Sequence, residues 1–454
     1  MKRAEEGLAL IFVTWTLVLL MVVAFGAAFE VKTFFNAETA YYGRLRAQWL
    51  AHAGIERGAA IIEADAKDVD STGETWWNAD GEEFALSQLG EGGYALIRDD
   101  FSDDGEPHFG IEDESGKLNL NSATYEMLLA LPGMTEEIAD SIIDWRDTDE
   151  DPRPNGAETE YYEALDQPYK AKNAPFETLR ELLLVKGATV STFFGEDANG
   201  NGILDENEND GGNSAPDDNA DGALDRGLIS YLTVSSFESN VDAQGSKRIN
   251  INSASEGDLK KAGFEDGEAK DIVAGRKSKK FETIFDLLDV TKQVVTPQDV
   301  QRGGSSSGGG ASIGTGSSSG GGSAEKSITE ARLKEVADKL TLSDEATLPG
   351  RVNVNTAPRA VLNAIFADEN AAQGIEEYAR SSDGPFKNVA ELLSVESVSA
   401  DLMKKVANYL TVRSNAFHVR SVGYLGNQEA KATVEALLVR DGDTVSVRYE
   451  RVID

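Results

Sequence analysis

Residues Leu8 to Phe29 read LALIFVTWTLVLLMVVAFGAAF and contain no charged side chain. At about 1.5 Å of rise per residue, a helix of this length spans the roughly 30 Å hydrocarbon core of a bilayer. Lys2 and Arg3 precede it, which predicts a cytoplasmic N-terminus, one membrane crossing and an extracytoplasmic bulk. A cleaved secretory signal is the alternative, but such apolar regions are usually shorter, and no A-x-A-like site follows this one.

Composition disfavours several classes of function. The 454 residues carry a formal net charge of −36, which opposes sequence-independent binding to the phosphate backbone of nucleic acid. Without cysteine there is no disulfide or thiolate metal site, and His52, His108 and His418 are too far apart in sequence to suggest a histidine-rich one. We see no Ser/His/Asp set, P-loop or Rossmann glycine pattern, and we predict that the chain is not an enzyme.

A helical pattern continues beyond the apolar stretch. Residues 30–67 contain no proline. Apolar residues recur there at helical spacing, namely Tyr41, Leu45, Trp49, Ile55, Ala59 and Ile62. We predict an amphipathic stem helix whose apolar stripe packs against a sheet, weakened locally by Gly43, Gly54 and Gly58.

Strand patterns occupy both ends of the remaining chain. Residues 93–98 and 109–121 form the first group, and residues 416–424, 429–440 and 444–452 form the second, separated by Gly-Asn and Asp-Gly turns. The two groups look like halves of one antiparallel sheet, with helical material inserted between them.

The inserted part contains a repeat. Its first element recurs as LNLNSA at 118–123, ININSA at 249–254 and VNVNTA at 352–357, and its second as FETLRELL at 176–183, FETIFDLL at 281–288 and FKNVAELL at 386–393. The Asn-Ser/Thr pair of the first element is a natural helix N-cap. In the first copy, Leu131 to Met134 (LPGM) form a tight connection between two helices.

These features resemble helix-hairpin-helix units of DNA-binding competence and repair proteins. Such units present backbone amides to a phosphate, normally with lysines nearby. Carboxylates surround the first copy, and only the second has a basic face, which includes Lys277, Lys279 and Lys280. We therefore predict a structural or protein-contact role and consider nucleic acid an unlikely partner. A membrane-anchored DNA-binding or DNA-uptake protein is the alternative.

An acidic stretch from Asp197 to Asp225 has the ligand spacing of EF-hand loops. The first loop offers oxygen ligands from Asp197, Asn199, Asn201, the Ile203 carbonyl, Asp205 and Glu208, with glycine at its sixth position. The second offers Asp217, Asn219, Asp221, the Ala223 carbonyl and Asp225, but its twelfth position is Leu228 instead of glutamate. Oxygen-only ligands favour Ca²⁺, acting as a structural brace. A solvated acidic loop is the alternative.

The leader MKRAEEG, which ends at Gly7 just before the apolar stretch, resembles those of type IV prepilins and type II secretion pseudopilins. The resemblance implies that a prepilin peptidase cuts between Gly7 and Leu8, that the new N-terminus is methylated, and that the apolar helix stays on the mature chain. Phe12 stands where most pilins have a glutamate. Lack of that glutamate is a mark of the K-type minor pseudopilin.

Further runs resemble the general secretion pathway protein K family. They are DWRD at 144–147, PRPNGAE at 152–158, YY at 161–162, PY at 168–169 and KNAPF at 172–176, with GIEDE at 110–114. The resemblance implies a minor pseudopilin of the type II secretion system in the inner membrane, with its bulk in the periplasm. It also implies structural calcium in the insert and a capping role at the pseudopilus tip with I-type and J-type partners. A calcium-stabilised surface adhesin is a further alternative.

The predicted fold class is α+β, with an N-terminal transmembrane and stem helix, a pilin-like antiparallel sheet and a large helical insert with helix-hairpin-helix-like repeats. We divide the chain into a leader (1–7), a transmembrane helix (8–29), a stem helix (30–67), the first part of the sheet (68–116), an insert with calcium loops (117–246), a second repeat unit (247–300), a Gly/Ser linker (301–326), a third unit (327–410) and the C-terminal strands (411–454).

Overall fold

The computed structural model describes residues 2–66, 68–77, 84–85, 87–99, 101, 107–197, 202, 204–292, 325–426 and 430–453. Its α-helices are α1 (Lys2–Ala64), α2 (Tyr125–Leu129), α3 (Glu136–Arg146), α4 (Thr159–Glu163), α5 (Val190–Phe194), α6 (Glu256–Ala262), α7 (Asp266–Ser278), α8 (Glu330–Val336), α9 (Arg359–Phe366), α10 (Glu369–Ala379) and α11 (Ala400–Val406). Its strands are β1 (Ser87–Leu89), β2 (Gly92–Arg98), β3 (His108–Phe109), β4 (Glu112–Asp113), β5 (Leu118–Asn119), β6 (Leu232–Thr233), β7 (Phe237–Ser239), β8 (Ile249–Asn250), β9 (Leu340–Thr341), β10 (Thr347–Pro349), β11 (Val352–Asn353), β12 (Leu410–Thr411), β13 (Ala416–Leu425), β14 (Ala430–Asp441) and β15 (Thr444–Ile453).

One continuous helix, α1, forms both the predicted membrane segment and the stem. Its large apolar side chains from Ile11 to Phe29 are 54–74% exposed. The helix is long and apolar enough to cross a membrane. Apolar surface on this scale is unfavourable in water, so the first half of α1 is suited to anchoring the chain in a bilayer.

An antiparallel sheet packs on the second half of α1. Its strand order is β1-β2-β13-β14-β15, with β3 paired to β2 and β4 paired to β13. Strand β2, from the first part of the chain, lies directly beside β13 from the last part, with Leu96 opposite Ser421. The prediction that the two ends of the chain build one sheet is confirmed.

Small residues form the face of α1 that meets the sheet. Ala47 and Ala51 are fully buried, and Gly54 lies so close to β13 that a Cβ there would be 2.1 Å from Ser421 Oγ. The predicted apolar stripe is wrong over its first half, since Tyr41 and Trp49 are each 67% exposed and Leu45 is 37% exposed. Gly54, one of the glycines that we expected to weaken the stem, is thus a position that lets the sheet approach the helix.

The insert consists of three units with a common plan. Each begins with the first strand of a two-residue parallel pair, continues through short α-helices and 3-10 helices, and ends with the strand that closes the pair. The pairs are β5 with β6, β8 with β9, and β11 with β12. Each closing strand has the sequence Leu-Thr. One continuous hydrophobic core runs through all three units.

The repeated asparagine has a different role from the predicted N-cap. In the third unit, Asn355 Oδ1 accepts a hydrogen bond from Phe386 N (2.9 Å), and Asn355 Nδ2 donates to Phe386 O (3.0 Å). The equivalent asparagines of the other units hold Phe176 and Phe281 in the same way. The helix N-caps are instead Thr124, Ser255 and Pro358. The asparagine thus ties the two repeated sequence elements together.

The structure also differs from the expected unit boundaries. Helix α8 and strand β9 follow the Gly/Ser-rich stretch, yet β9 pairs with β8 and completes the second unit. Strand β11, which begins at Val352, opens the third unit. The linker expected at 301–326 lies, up to residue 324, outside the described residues, and it interrupts the second unit instead of separating it from the third.

A buried polar junction joins the third unit to the sheet. Asn353 Nδ2 donates to Asp113 Oδ2 (3.1 Å), to the carbonyl of Asp70 (3.0 Å) and to Ser414 Oγ (2.9 Å). Arg440 on β14 donates to both carboxylate oxygens of Asp70, each at 2.6 Å. Asp113 and Ser414 lie where the chain enters and leaves the insert, so this junction fixes the insert on the sheet.

Candidate functional site

In the first predicted calcium loop, a hydrogen bond joins the residues at the first and sixth positions. Asp197 is buried, and its Oδ2 accepts a hydrogen bond from Gly202 N at 2.9 Å. Gly202 has a φ of +72°, a conformation that favours glycine at the sharp turn of such a loop. At the far end, Glu208 is 1% exposed, and its Oε2 accepts from Asp205 N at 3.1 Å. Asn199, Asn201 and Ile203 lie outside the described residues.

The second predicted loop is more exposed but has the same local turns. Asn219 Oδ1 accepts from Asp221 N, and Asp221 Oδ1 accepts from Ala223 N, both at 2.8 Å. Asn219 Nδ2 donates to Asp225 Oδ2 at 3.0 Å, while Asp217 is exposed. Gly222 in the sixth position has a φ of +83°. The missing twelfth ligand, Leu228, is a buried apolar residue.

Sequence reasoning missed Glu196 as an organising residue of the second loop. Glu196 is 6% exposed, and its two oxygens accept from Asn219 N (3.0 Å) and Asp225 N (3.2 Å). No spacing rule would have found it, because Glu196 precedes the first loop and reaches the second only through the fold. The loops are also attached to the sheet side of the molecule, since Arg226 forms two hydrogen bonds with Asp99, at 2.8 and 3.1 Å.

Groups of three carboxylates that could share a cation occur elsewhere in the described residues. One is Asp65, Asp70 and Glu74, and the other is Asp144, Asp147 and Glu158, each with ligand oxygens within 4.8 Å of one another. In the first group Arg440 pairs with both aspartates. Glu74 Oε2 accepts from Ser71 N and Trp76 Nε1, and burial raises the pKa of Glu74 to about 8. Protein donors therefore already satisfy the first group.

Buried charges are balanced within the sheet around His418. Its Nδ1 is 3.3 Å from Glu112 Oε2, and its Nε2 is 3.8 Å from Glu435 Oε2. Although burial alone disfavours the imidazolium, these two carboxylates raise the pKa of His418 to about 9. Arg420 and Arg451 also pair with Glu435, so the cluster is a structural network of alternating charges.

An exposed aromatic surface lies on α1 between the apolar segment and the sheet. Its members, which we call the stem aromatic surface, are Phe34, Phe35, Tyr41, Tyr42 and Trp49, and their exposed fractions run from 54% to 69%. Exposed aromatic clusters of this kind mark contact surfaces for other proteins or for membrane interfaces.

The basic residues of the second unit are partly neutralised. Lys279 is 3.1 Å from Glu282, Lys260 is 3.1 Å from Asp266, and Lys261 is 2.8 Å from Asp258. Lys277 and Lys280 are exposed. A surface on which acidic partners alternate with lysines offers little net attraction to a phosphate backbone.

These features define the class of the molecule as an α+β protein, in which an antiparallel sheet and a helical insert are carried on one long helix with an apolar first half. A family model described as "Type II secretion system (T2SS), protein K" matches residues 109–193, which span the sheet-to-insert entry and most of the first unit. This part of the chain is thus similar to type II secretion system protein K.

Curated relatives share moderate identity with this chain. Type II secretion system protein K of Pseudomonas aeruginosa is 29% identical over 212 residues, which cover 41% of this chain and 59% of that protein. The protein of the same name from Klebsiella pneumoniae is 28% identical over 208 residues, covering 42% of this chain and 61% of the relative. The chain thus matches about three fifths of the length of these relatives.

Among solved structures, a chain of "The Crystal Structure of the GspK-GspI-GspJ complex from enterotoxigenic Escherichia coli Type 2 Secretion System" is similar. The alignment covers 92% of this chain and 99% of that one, with a TM-score of 0.46 and 14% sequence identity.

Proposed function

We propose that the chain is a minor pseudopilin that caps the tip of the type II secretion pseudopilus and supports protein export across the outer membrane. The match of residues 109–193 to the type II secretion system protein K model supports the secretion role. The observation that carries the capping role is the position of the insert, which leaves the sheet after β4 and returns at β13, its neighbour. Three units that share one core are thereby carried on a head that sits on one helix. Such a head can end a stack of helices but hinders a further subunit above it.

Assembly would use the stem. The apolar half of α1 would lie in the inner membrane with its N-terminus in the cytoplasm, and prepilin peptidase would cut between Gly7 and Leu8. The stem aromatic surface then offers a contact for I-type and J-type minor pseudopilins. Phe12 is 71% exposed in place of a glutamate, and a subunit with nothing above it has no neighbouring amine to pair with such a charge.

Calcium would act as a structural brace in the two loops. Asp197, Asn199, Asn201, Ile203, Asp205 and Glu208 would hold one ion, and Asp217, Asn219, Asp221, Ala223 and Asp225 would hold a second. Oxygen-only donors and positive φ at both Gly202 and Gly222 fit a hard cation. When bound, the ion neutralises carboxylates that otherwise repel one another. Because Glu196 and the Asp99–Arg226 pair connect the loops to the rest of the head, a bound ion would also restrict the movement of the loops relative to it.

The test of the proposed function is assembly of the full chain with its I-type and J-type siblings. We expect the three proteins to co-purify from membranes in detergent, and we expect mass spectrometry to find a mature chain that begins at a methylated Leu8. Replacing Tyr41, Tyr42 and Trp49 by Ser should weaken the complex, whereas the control Tyr449→Ser, on exposed β15, should not. A chain that retains Met1, or that binds neither sibling, would contradict the proposal.

The same preparation addresses the DNA-uptake alternative. Because Lys279 is paired with Glu282 and the chain is strongly acidic, we expect no salt-sensitive retention of duplex DNA. Retention that is lost on replacing Lys277, Lys279 and Lys280 would favour that alternative instead.

A further inference from the structure

A cleft with a polar lining lies between the second and third units of the insert, and we call it the inter-unit cleft. Its polar side chains include Glu238, Arg248, Asp338, Thr341, Arg351 and Thr411. Arg248 immediately precedes β8, which opens the second unit, and Arg351 immediately precedes β11, which opens the third. Both units thus contribute a cation to the same cleft.

In the first unit, the cation at this position is paired with carboxylates. Lys117 immediately precedes β5, and its Nζ lies 2.9 Å from Glu112 Oε1 and 3.2 Å from Glu114 Oε1. Thr233, on the closing strand β6, donates its hydroxyl to Glu114. The carboxylate of Glu114 therefore connects the cation before the opening strand to the threonine of the closing strand.

The second and third units keep the cation and the threonine but lack the carboxylate. Arg248 and Arg351 stand at the position of Lys117, and the closing threonines are Thr341 and Thr411. The position of Glu114, four residues before the opening strand, is occupied by Gly245 and Leu348. Neither unit can therefore repeat the contact that Glu114 makes in the first.

The acids that do line the cleft are outnumbered by arginines. Glu238 serves both units, since its Oε1 is 2.6 Å from Arg248 Nη2 and its Oε2 is 2.9 Å from Arg351 Nη1. Asp338 accepts from Arg413 and lies 3.6 Å from Arg248 Nη2. Within the described ranges, three guanidinium groups thus share two carboxylates, which leaves one positive charge unbalanced.

Arg351 carries most of this imbalance. Its side chain is only 17% exposed, and it donates to Glu238 through Nη1, whereas Nε and Nη2 have no acceptor among the described residues. Burial lowers the pKa of Arg351 although Glu238 opposes this, and the charge of Arg248 lowers it further. An additional negative charge in the cleft would stabilise this guanidinium.

The two threonines also have unused donors. Thr341 and Thr411 are 3% and 1% exposed, and their hydroxyl oxygens accept from the backbone N–H groups of Ser343 (3.3 Å) and Arg413 (3.2 Å). A hydroxyl can also donate one hydrogen bond, and neither O–H has an acceptor in the described part of the chain. Buried polar groups normally have partners, so both threonines point to an acceptor inside the cleft.

We propose that the inter-unit cleft binds a carboxylate group through Arg351, Thr341 and Thr411, in the role that Glu114 has in the first unit. A planar guanidinium matches the two oxygens of a carboxylate, and one negative charge balances the one excess positive charge. A phosphate dianion would overcompensate it. Ile284 and Val389 give the cleft apolar walls that suit the carbon atoms of such a ligand. The ligand would hold the second unit against the third.

Water is the alternative occupant, because it supplies acceptors but no charge. Isothermal titration calorimetry on the full chain in detergent, near neutral pH, distinguishes the two with acetate and its neutral isostere acetamide. We expect saturable binding of one acetate per chain and no binding of acetamide. Equal behaviour of the two probes would overturn the proposal.

Variants locate the bound acetate. Arg351→Gln should weaken acetate binding on the order of tenfold, because a charge-assisted hydrogen bond is lost. The matched control is Arg359→Gln, which also removes an arginine paired with an acid, in this case Glu376 at 2.6 Å, but outside the cleft. It should bind acetate like the parent. Unchanged binding by Arg351→Gln would refute the site.

A second variant guards against a folding artefact, since Arg351→Gln also removes a partner of Glu238. Val389→Phe narrows the cleft from its apolar wall and leaves every charge in place. It should show the circular dichroism spectrum of the parent and bind no acetate. A folded Val389→Phe chain that binds acetate as tightly as the parent would place the ligand elsewhere and overturn the proposal.

Two further probes define the ligand. N-acetyl-aspartyl amide carries its carboxylate on a peptide backbone, so its competition with acetate would assign the cleft to an acidic side chain of another polypeptide. Binding of acetate alone would assign it to a small free carboxylate, and either result supports the site. Inorganic phosphate that binds more tightly than acetate would contradict the choice of a carboxylate.

Discussion

At the scale of single residues, His418 makes the stability of the sheet depend on pH. Its folded pKa of about 9 lies above its ordinary value of 6.5 because Glu112 and Glu435 flank the ring. A raised pKa on a base contributes stability that is complete below pH 6.5 and is lost as pH rises through 9. The shift corresponds to about 3 kcal/mol at most.

The measurement is the free energy of unfolding of the parent and of His418→Gln between pH 6.5 and 10. We expect the difference between them to be largest at the acid end and to shrink as His418 loses its proton. Glu74, with a pKa near 8, titrates in the same window and changes the stability of both proteins, so only the difference isolates His418. A difference that stays constant with pH would contradict the prediction.

Asn355 is expected to be essential to the third unit because it binds both backbone groups of Phe386. Asn355→Ala leaves a buried N–H and a buried carbonyl without partners and should lower the free energy of unfolding by about 2–4 kcal/mol. The control Asn370→Ala, at an exposed position of α10, should change it by less than about 0.5 kcal/mol. Chemical denaturation followed by Trp fluorescence checks both, and equal effects of the two variants would refute the role.

The repeated asparagines also show which features the sequence could predict and which it could not. Repetition identified the two elements of each unit, because similar sequences adopt similar structures. It could not show that the asparagine of one element holds the phenylalanine of the other, since Asn121 and Phe176 lie 55 residues apart. An N-cap interaction is local and was the natural interpretation, whereas the observed contact depends on the folded unit.

At the scale of elements, the contact of α1 with the sheet depends on residues that lack side-chain bulk. A Cβ at Gly54 would lie 2.1 Å from Ser421 Oγ and 2.9 Å from Tyr94 Cδ2. Gly54→Ala should therefore lower the free energy of unfolding by about 1–3 kcal/mol, although alanine is the better helix former. Gly26→Ala is the matched control, since a Cβ there meets nothing within 4 Å.

Thermal unfolding in detergent, followed by circular dichroism, distinguishes the two glycine variants. We expect a lower melting temperature for Gly54→Ala and an unchanged or higher one for Gly26→Ala. If Gly54→Ala melted like the parent, the close packing of α1 on β13 would not hold in solution.

The same element shows why half of the predicted stripe was wrong. Helical spacing identified Ile55 and Ile62, which are buried, but it gave equal weight to Tyr41 and Trp49, which are exposed. Periodicity reports which residues share a face and does not say whether large or small side chains meet the sheet. The strands were easier to predict, because alternation and Gly-Asn or Asp-Gly turns limit both their ends, and the terminal meander at 416–453 agrees closely with the expected ranges.

At the scale of the whole molecule, the insert is attached so that the sheet does not depend on its length. Asp113 on β4 lies opposite Phe417 on β13, so the chain leaves and returns at neighbouring positions. We predict that replacing residues 118–411 by a short Gly/Ser linker leaves a folded head on α1. Hydrogen exchange should find β13 and β14 as protected as in the parent, apart from residues next to Asp70 and Asp113.

The control for this excision is Arg440→Ala in the full chain, which leaves the fully buried Asp70 without its cation and should cost about 3–5 kcal/mol. That variant should lose protection in the strands although the insert is complete. An excised chain whose strands exchange as fast as an unfolded peptide would show that the insert holds the sheet together.

The closing strand of each unit lies beside its opening strand, as β12 does beside β11. A segment whose two ends meet can be duplicated, lengthened or deleted as a whole without moving the chain on either side. The long Gly/Ser-rich stretch within the second unit illustrates this freedom, because β8 and β9 still pair across it. Related chains can therefore differ in bulk by entire modules while keeping the same sheet and helix, so the mass carried on the sheet becomes a quantity that evolution can adjust in steps.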